Sequence, residues 1–370
     1  MVSWAADNGM VVYSSVQQMV GIAPATGEVQ WKVSVPGVDA LPWLPLGVVA
    51  AGPWAYSVFA NLTVWTEGDL IANHLAVAVV HAADGVLVKV VHLAVTRSQV
   101  ATSGVQQLVV VDPAAPDVLY LCDNEGFGTD PSSGFFAFNV TSEARVWTNA
   151  SSIGPDGSAI KGNPTLDTAA KILYAFELQR TGNRFDDSPE LNVFALAVTS
   201  DTGSGIASAT TAMIEDPYSY SVMTAVPPFS TASAPRMLSL SNSNGGPATS
   251  TSVTLWSGTA GDVVWSVTPT NDTDDEITAC GVSTLSGGVG GAVYYSTSAC
   301  GRGFGATVAA LNVTTGATMW SYDSLTGASD SLQVYCNVVA GFGRMLVCAK
   351  NHTDPYWSTM TLIALSDSDN

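Results

Sequence analysis

Apolar residues in this chain fall in short runs separated by turn residues, with no sustained helical period. In the first unit the runs are Val2 to Ala6, Met10 to Ser14, Met19 to Ala23 and Glu28 to Val33. Asn8-Gly9 separates the first two and Ala25-Thr26-Gly27 the last two, which is the punctuation of antiparallel hairpins. The same order returns at Pro164 to Asp167, Ile172 to Glu177, Leu191 to Val198 and Gly205 to Thr211. It returns again at Ile277 to Ser283, Ala292 to Thr297, Thr307 to Val313 and Ala317 to Tyr322. Runs this short, rich in Val, Tyr, Leu and Thr, exclude substantial helix and predict a four-stranded antiparallel meander.

A phrase ties the units together. A Gly-like position is followed four residues later by a Trp-like one, most clearly in Thr26-Gly27-Glu28-Val29-Gln30-Trp31, Ala260-Gly261-Asp262-Val263-Val264-Trp265 and Thr315-Gly316-Ala317-Thr318-Met319-Trp320. Degraded copies lie at Gly85 to Lys89, Glu143 to Trp147 and Gly203 to Ala207. Successive first positions are 58, 58, 60, 58 and 55 residues apart, a period that means one supersecondary unit used repeatedly. Repeated meanders bury their faces against neighbours around an axis, so the expected fold is an all-β, single-domain β-propeller over residues 1–370. Counting third strands gives seven blades rather than eight, over about 1–35, 36–95, 96–150, 151–212, 213–268, 269–323 and 324–370. The seventh Gly turn is due where Asn370 stands, so the last blade is expected to be incomplete. Met1-Val2-Ser3-Trp4 would align as its outer strand, but those residues are then lost to the first blade.

Asn8-Gly9-Met10-Val11-Val12-Tyr13 followed by the Thr26 to Trp31 phrase, and Ala310-Leu311-Asn312-Val313-Thr314-Thr315-Gly316-Ala317-Thr318-Met319-Trp320, resemble the pyrroloquinoline-quinone-like propeller repeat. The resemblance implies that Trp and Gly dock one blade on the next, which makes Trp31, Trp147, Trp265 and Trp320 core residues. Quinoprotein dehydrogenases of that family have eight blades and hold the quinone with a vicinal Cys-Cys disulfide, a Trp platform and a Ca²⁺ bound by Glu, Asn and Asp. This chain has no adjacent cysteines and seven expected blades, so no cofactor is predicted. Relatives without the cofactor serve as assembly or binding scaffolds.

Composition narrows the partners. Twelve Lys+Arg against 31 Asp+Glu give a net charge of −19, with no basic cluster for phosphate backbones or anionic membranes, so nucleic acid is not an expected partner. Ala40 to Thr66 carries no charge, but Pro42, Pro45, Gly47, Gly52 and Pro53 interrupt it and two strands are due there. It reads as core, not as a membrane span. Met1-Val2-Ser3-Trp4 leads into Asp7 and Asn8 without the pattern of a secretory signal, so the sequence reads as a mature segment or a fragment. Cys336 and Cys348 are symmetric about residue 342, and Cys280 and Cys300 about Gly290. Each pair is either a cross-strand disulfide or two buried thiols, with Cys122 left over. Asn-X-Ser/Thr sequons stand at Asn61, Asn139, Asn149, Asn271, Asn312 and Asn351. Together these features point to a secreted, cell-surface or lumenal glycoprotein.

Catalytic patterns are sparse. His74, His81, His92 and His352 have no metal-ligand spacing, and His81 holds the strand position that Asn139 and Asn312 hold in sister units. No nucleophile elbow, P-loop or dinucleotide fingerprint occurs. Asp123, Glu125 and Asp130 could hold Ca²⁺ on a loop, as could Asp186-Asp187 with Glu190 or the Asp272 to Glu276 run, although none has a calcium-loop spacing. The connection between second and third strands is short in the first blade, Ser15 to Gln18. Later it expands to Asn61 to Asn73, Cys122 to Gly134, Leu178 to Glu190, Asn242 to Ser250, Ser298 to Ala306 and Lys350 to Trp357. These connections share one face and carry Trp65, Phe127, Arg180, Arg184, Phe185, Arg302, Phe304, Tyr356 and Trp357, residue types that dominate interfaces. The expected function is a non-catalytic scaffold that binds a protein or glycan ligand there. Two other readings stand beside it: a quinone-type oxidoreductase or metal-assisted hydrolase with a site at the central channel, and the propeller ectodomain of a larger receptor.

Overall fold

The computed structural model describes residues 2–5, 9–15, 18–38, 43–66, 69–100, 109–124, 133–150, 159–168, 171–179, 190–198, 203–213, 222–226, 236–243, 250–257, 263–268, 277–284, 291–299, 306–323, 332–334, 339–341, 344–351 and 359–366. The chain forms two compact units, Met1–Ser208 and Ala209–Asn370.

In the first unit, β1 (Val2–Ala5), β2 (Met10–Ser14), β3 (Gln18–Ile22) and β4 (Val29–Ser34) make one antiparallel sheet in chain order. The second meander is β5 (Trp43–Ala51), β6 (Trp54–Thr66), β7 (Asp69–His81) and β8 (Leu87–Val100). The third is β9 (Val109–Asp112), β10 (Ala115–Asn124), β11 (Ser133–Asn139) and β12 (Ala144–Ala150). The fourth is β13 (Ala159–Asp167), β14 (Ile172–Gln179), β15 (Glu190–Val198) and β16 (Gly203–Met213). The uncharged stretch read as core strands is thus β5 and β6, and no helix among the described residues is long and apolar enough to cross a membrane.

The second unit repeats the plan. Its meanders are β17 (Val222–Val226), β18 (Arg236–Ser243), β19 (Ser250–Ser257) and β20 (Val263–Val267), then β21 (Ile277–Thr284), β22 (Ala292–Ala299), β23 (Ala306–Asn312) and β24 (Thr318–Asp323). In the last, β25 (Leu332–Val334) and β26 (Val339–Gly341) pair with opposite ends of the same edge of β27 (Arg344–Asn351), and β28 (Thr359–Ser366) pairs with the other edge. This meander therefore has an interrupted first strand, a second and a third, and no fourth among the described residues.

The Gly-to-Trp phrase is where meanders meet. Trp31 is buried, and its Nε1–H donates to the Ala82 carbonyl in the next meander at 2.8 Å. A Cβ on Gly85 would lie 2.6 Å from the Trp31 ring, so a side chain there and the indole exclude each other. The fifth and sixth meanders repeat this contact: Trp265 Nε1–H donates to Val313 O at 2.9 Å, and a Cβ on Gly316 would lie 2.8 Å from the ring. Gly85 and Gly316 also close tight turns, donating N–H to His81 O at 2.9 Å and Asn312 O at 2.8 Å. Their φ values of +74° and +71° suit a residue without Cβ. Within a sheet, each Trp lies across from its partner on the third strand: Gly21 opposite Trp31, Ala137 opposite Trp147, Ala310 opposite Trp320, and Leu255 opposite Trp265.

Two readings need correction. Asn61 to Asn73 is not a loop: β6 and β7 continue as a hairpin to the pair Thr66 and Asp69, and β8 follows them with Val100 opposite Leu70. Leu62, Val64, Leu70 and Ile71 supply the strand-forming residues that extend it. Gly203, read as a turn glycine, begins strand β16. Val198 N–H bonds to Lys171 O as Val140 N–H bonds to Asp117 O, so the fourth unit aligns on position 201.

Candidate functional site

Antiparallel order sends every second-to-third-strand connection to one end of its meander and the first-to-second and third-to-fourth turns to the other. The turn end is closed by repeated bonds. Ala82 N–H donates to Pro53 O, Val140 N–H to Asp117 O, and Val313 N–H to Gly291 O, which ties the two turns of each meander together. Asn139 Oδ1 accepts the Ser142 N–H at 2.8 Å, while Asn312 Oδ1 accepts those of Thr314 and Thr315 at 2.9 and 3.1 Å. At the matching place His81 Nδ1 meets Asp84 Oδ1 at 2.9 Å, which holds the Asp84 carboxyl below the usual carboxylate range, with help from the Val86 N–H. The sequons at Asn139 and Asn312 thus coincide with a turn in which the Asn side chain accepts backbone N–H groups.

The connection end is built differently. Ser15 to Gln18 is a tight link, with Ser15 N–H donating to Gln18 O at 2.9 Å. In the second meander β6, β7 and β8 run 13, 13 and 14 residues, longer than any other strand among the described residues, so a three-stranded sheet continues past the end of β5. Its register places Trp65, Leu70 and Val100 in one cross-strand row near the tip. Nearer the body, Trp43, Asn61 and His74 form another row. The Trp43 ring meets His92 edge-on at 5.8 Å. Asn61 Oδ1 is buried with no hydrogen-bond partner among the described residues, an acceptor withdrawn from water. The sequence reading passed over Trp43, whose row becomes visible only with the strand register.

The other predicted site residues fall as follows. Asp123 lies on β10 opposite Gly134, while Glu125, Phe127 and Asp130 lie outside the described residues, as do Asp186, Asp187 and the 272–276 run. Arg180, Arg184, Phe185, Arg302, Phe304, Tyr356 and Trp357 also lie outside them, on segments whose flanking strands all end at the connection end. Asn149 and Asn351 are strand residues on β12 and β27, and Asn271 lies outside the described residues. Cys122 pairs with Phe135. Cys280 sits at a bulge between the pairs Ala279–Thr297 and Gly281–Ser296, so the register does not set it opposite position 300. Cys348 lies between Leu346, opposite Val339, and Ala349, opposite Val334. Cys300 and Cys336 lie outside the described residues.

The sequence lacks the vicinal cysteine pair of a quinone centre of the dehydrogenase kind. No two cysteines are adjacent, and no group of three His, Cys, Asp or Glu that could hold a metal ion occurs among the described residues.

No protein-family model and no curated protein matches the chain. Among solved structures it is similar to the WD40 domain of coronin from Toxoplasma gondii, at 10% identity and TM-score 0.52, over 100% of this chain and 81% of that one. It is also similar to a europium-containing methanol dehydrogenase, at 10% identity and TM-score 0.47 over 95% and 76% of the two chains. A quinohemoprotein alcohol dehydrogenase from Pseudomonas putida aligns at 11% identity and TM-score 0.48 over 94% and 70%. At these identities the likeness concerns architecture alone: with its repeated four-stranded antiparallel meanders, this all-β chain has a β-propeller fold.

Proposed function

We propose that this chain is a non-catalytic propeller scaffold that binds a protein or glycan partner through the connection end of its blades. The observation that supports this reading is the three-stranded extension of the second blade. It presents the Trp65, Leu70 and Val100 row beyond a body whose opposite end is closed by tight turns. A preformed sheet carrying an aromatic residue binds with little ordering cost, and the apolar row offers contact area. Arg180 and Arg184, two of the chain's 12 basic residues, belong by chain order to the second-to-third-strand connection of the fourth blade and would complement an acidic or hydroxyl-rich ligand.

The test is partner capture with the intact chain, with residues 180–189 replaced by a short Gly-Ser link, and with Trp65→Ala. Partners held by the intact chain and lost by either altered form support the reading. Recovery of the same partners by all three forms refutes it. A secreted or lumenal location is part of the proposal, checked by the mass change on glycosidase treatment after expression through a eukaryotic secretory pathway.

A further inference from the structure

Between the second and third blades the Trp–Gly contact is replaced by an ion pair. Lys89 stands in the Trp position, opposite Val79, and Glu143 stands in the Gly position of the next turn. Lys89 Nζ donates to the Val140 carbonyl at 2.5 Å, the counterpart of the carbonyls that Trp31 and Trp265 reach, and meets Glu143 Oε1 at 3.0 Å. The ammonium therefore keeps the indole's hydrogen bond and adds a charge contact. It also vacates the space where a Cβ and a Trp ring collide, which lets position 143 carry a side chain.

The backbone records the exchange. Glu143, with φ +56°, is one of two non-glycine residues with positive φ among the described residues. The other is Lys171, also at φ +56°, in the first-to-second-strand turn where Gly9, Gly52 and Gly291 stand in other blades. Lys171 too is ion-paired to the preceding blade, its Nζ donating to Asp112 Oδ2. Both strained positions thus hold charges that clasp the third blade, Glu143 toward the second and Lys171 from the fourth. On the fourth-blade side the third blade's Trp147 has a buried Nε1–H with no partner among the described residues, unlike Trp31 and Trp265.

We propose that the outer edge of the third blade is an ionic latch, a joint that salt loosens while the Trp–Gly joints stay shut. The side chains of Lys89 and Glu143 are 28% and 54% exposed, so mobile ions reach the pair. A pair of this kind contributes about 0.2–1 kcal/mol, equivalent to roughly a 1.4- to 5-fold change in an opening equilibrium. Asp112 is buried, and screening reaches that side of the clasp less.

The test is amide hydrogen exchange of the whole chain between 0.05 and 1 M sodium chloride. Exchange in Leu87–His92 and Ala144–Trp147 is expected to quicken by about 1.4- to 5-fold, while Val29–Ser34 and Val263–Val267 do not quicken. Lys89→Gln, which retains a donor for the Val140 carbonyl, should already exchange faster at low salt and lose the salt response. Equal salt response in all four segments, none in any, or an unchanged response in Lys89→Gln overturns the latch. If Lys89→Gln fails to fold, the comparison of segments in the unaltered chain still decides.

Discussion

Gly85→Ala places one methyl group against Trp31, and its cost can be worked from the contact. At φ +74° a residue with a Cβ costs about 1–2 kcal/mol relative to glycine. The new Cβ would meet Cγ and Cδ2 of Trp31 at 2.6 Å, roughly 1 Å inside ordinary contact. The ring resists retreat because its Nε1–H is bonded to Ala82 O at 2.8 Å and because Gly21 lies against its other side, where a Cβ would be only 2.1 Å from the indole. Overpacking of this kind adds about 1–3 kcal/mol, so the total loss is about 2–5 kcal/mol. Gly27→Ala supplies the control, since Gly27 has φ +73° but nothing within 4 Å of the added Cβ, and it should lose only the conformational part, about 1–2 kcal/mol. Guanidinium denaturation of both variants, followed by circular dichroism, gives the difference from midpoints and slopes. Equal losses in the two variants would show that the glycine is held by backbone conformation alone and would refute the packing account of the joint.

Trp31→Phe should cost about 1–3 kcal/mol because it leaves the Ala82 carbonyl without its donor, whereas Trp147→Phe removes an N–H that has no partner among the described residues and should be much nearer neutral; paired denaturation curves check this. Tyr56→Phe removes the 2.6 Å bond from the phenol to Pro116 O and should destabilise by about 0.5–1.5 kcal/mol. Burial, seconded by the charge of Asp117, pushes the Tyr56 phenol well above the ordinary tyrosine range, so a phenolate absorbance titration of Tyr56→Phe should lose a late-ionising group. The Asp84 carboxyl is held low, so it contributes stability above its unfolded pKa and loses it as pH falls through the folded value. Asp84→Ala should therefore be less stable than the parent at neutral pH, and the gap should close in thermal melts below about pH 4. A gap that widens in acid would contradict the assigned direction.

Much of the fold is legible in the chain because one contact repeats. Gly85 and Trp31, 54 residues apart, each recur at a fixed period, and the strands on either side follow from alternation. The second blade's extension was misread because Asn61, Thr63 and Asn73 lower the apolar content of a stretch that Val64, Trp65, Leu70 and Ile71 nevertheless commit to strands. The Lys89–Glu143 contact was visible as a degraded copy of the phrase, yet its chemistry depends on two residues that meet only across blades. Trp43 escaped notice for the same reason, since its row with Asn61 and His74 is a property of register. Aromatic and basic residues on the connections can be located by sequence, but strand periodicity does not encode the conformation of a connection.

In a chain assembled by copying one unit, the Lys89–Glu143 pair also carries a history. Two substitutions separate it from Trp against Gly, and at the geometry of the Gly85 and Gly316 joints the lysine-first order avoids a collision. A glutamate arriving first would have driven its Cβ into a standing indole ring, the clash measured at Gly85 and Gly316. A lysine arriving first would have faced a glycine, kept the carbonyl bond and lost only buried area. At the geometry of the Gly85 and Gly316 joints, lysine beside glycine is thus the intermediate that costs least in packing.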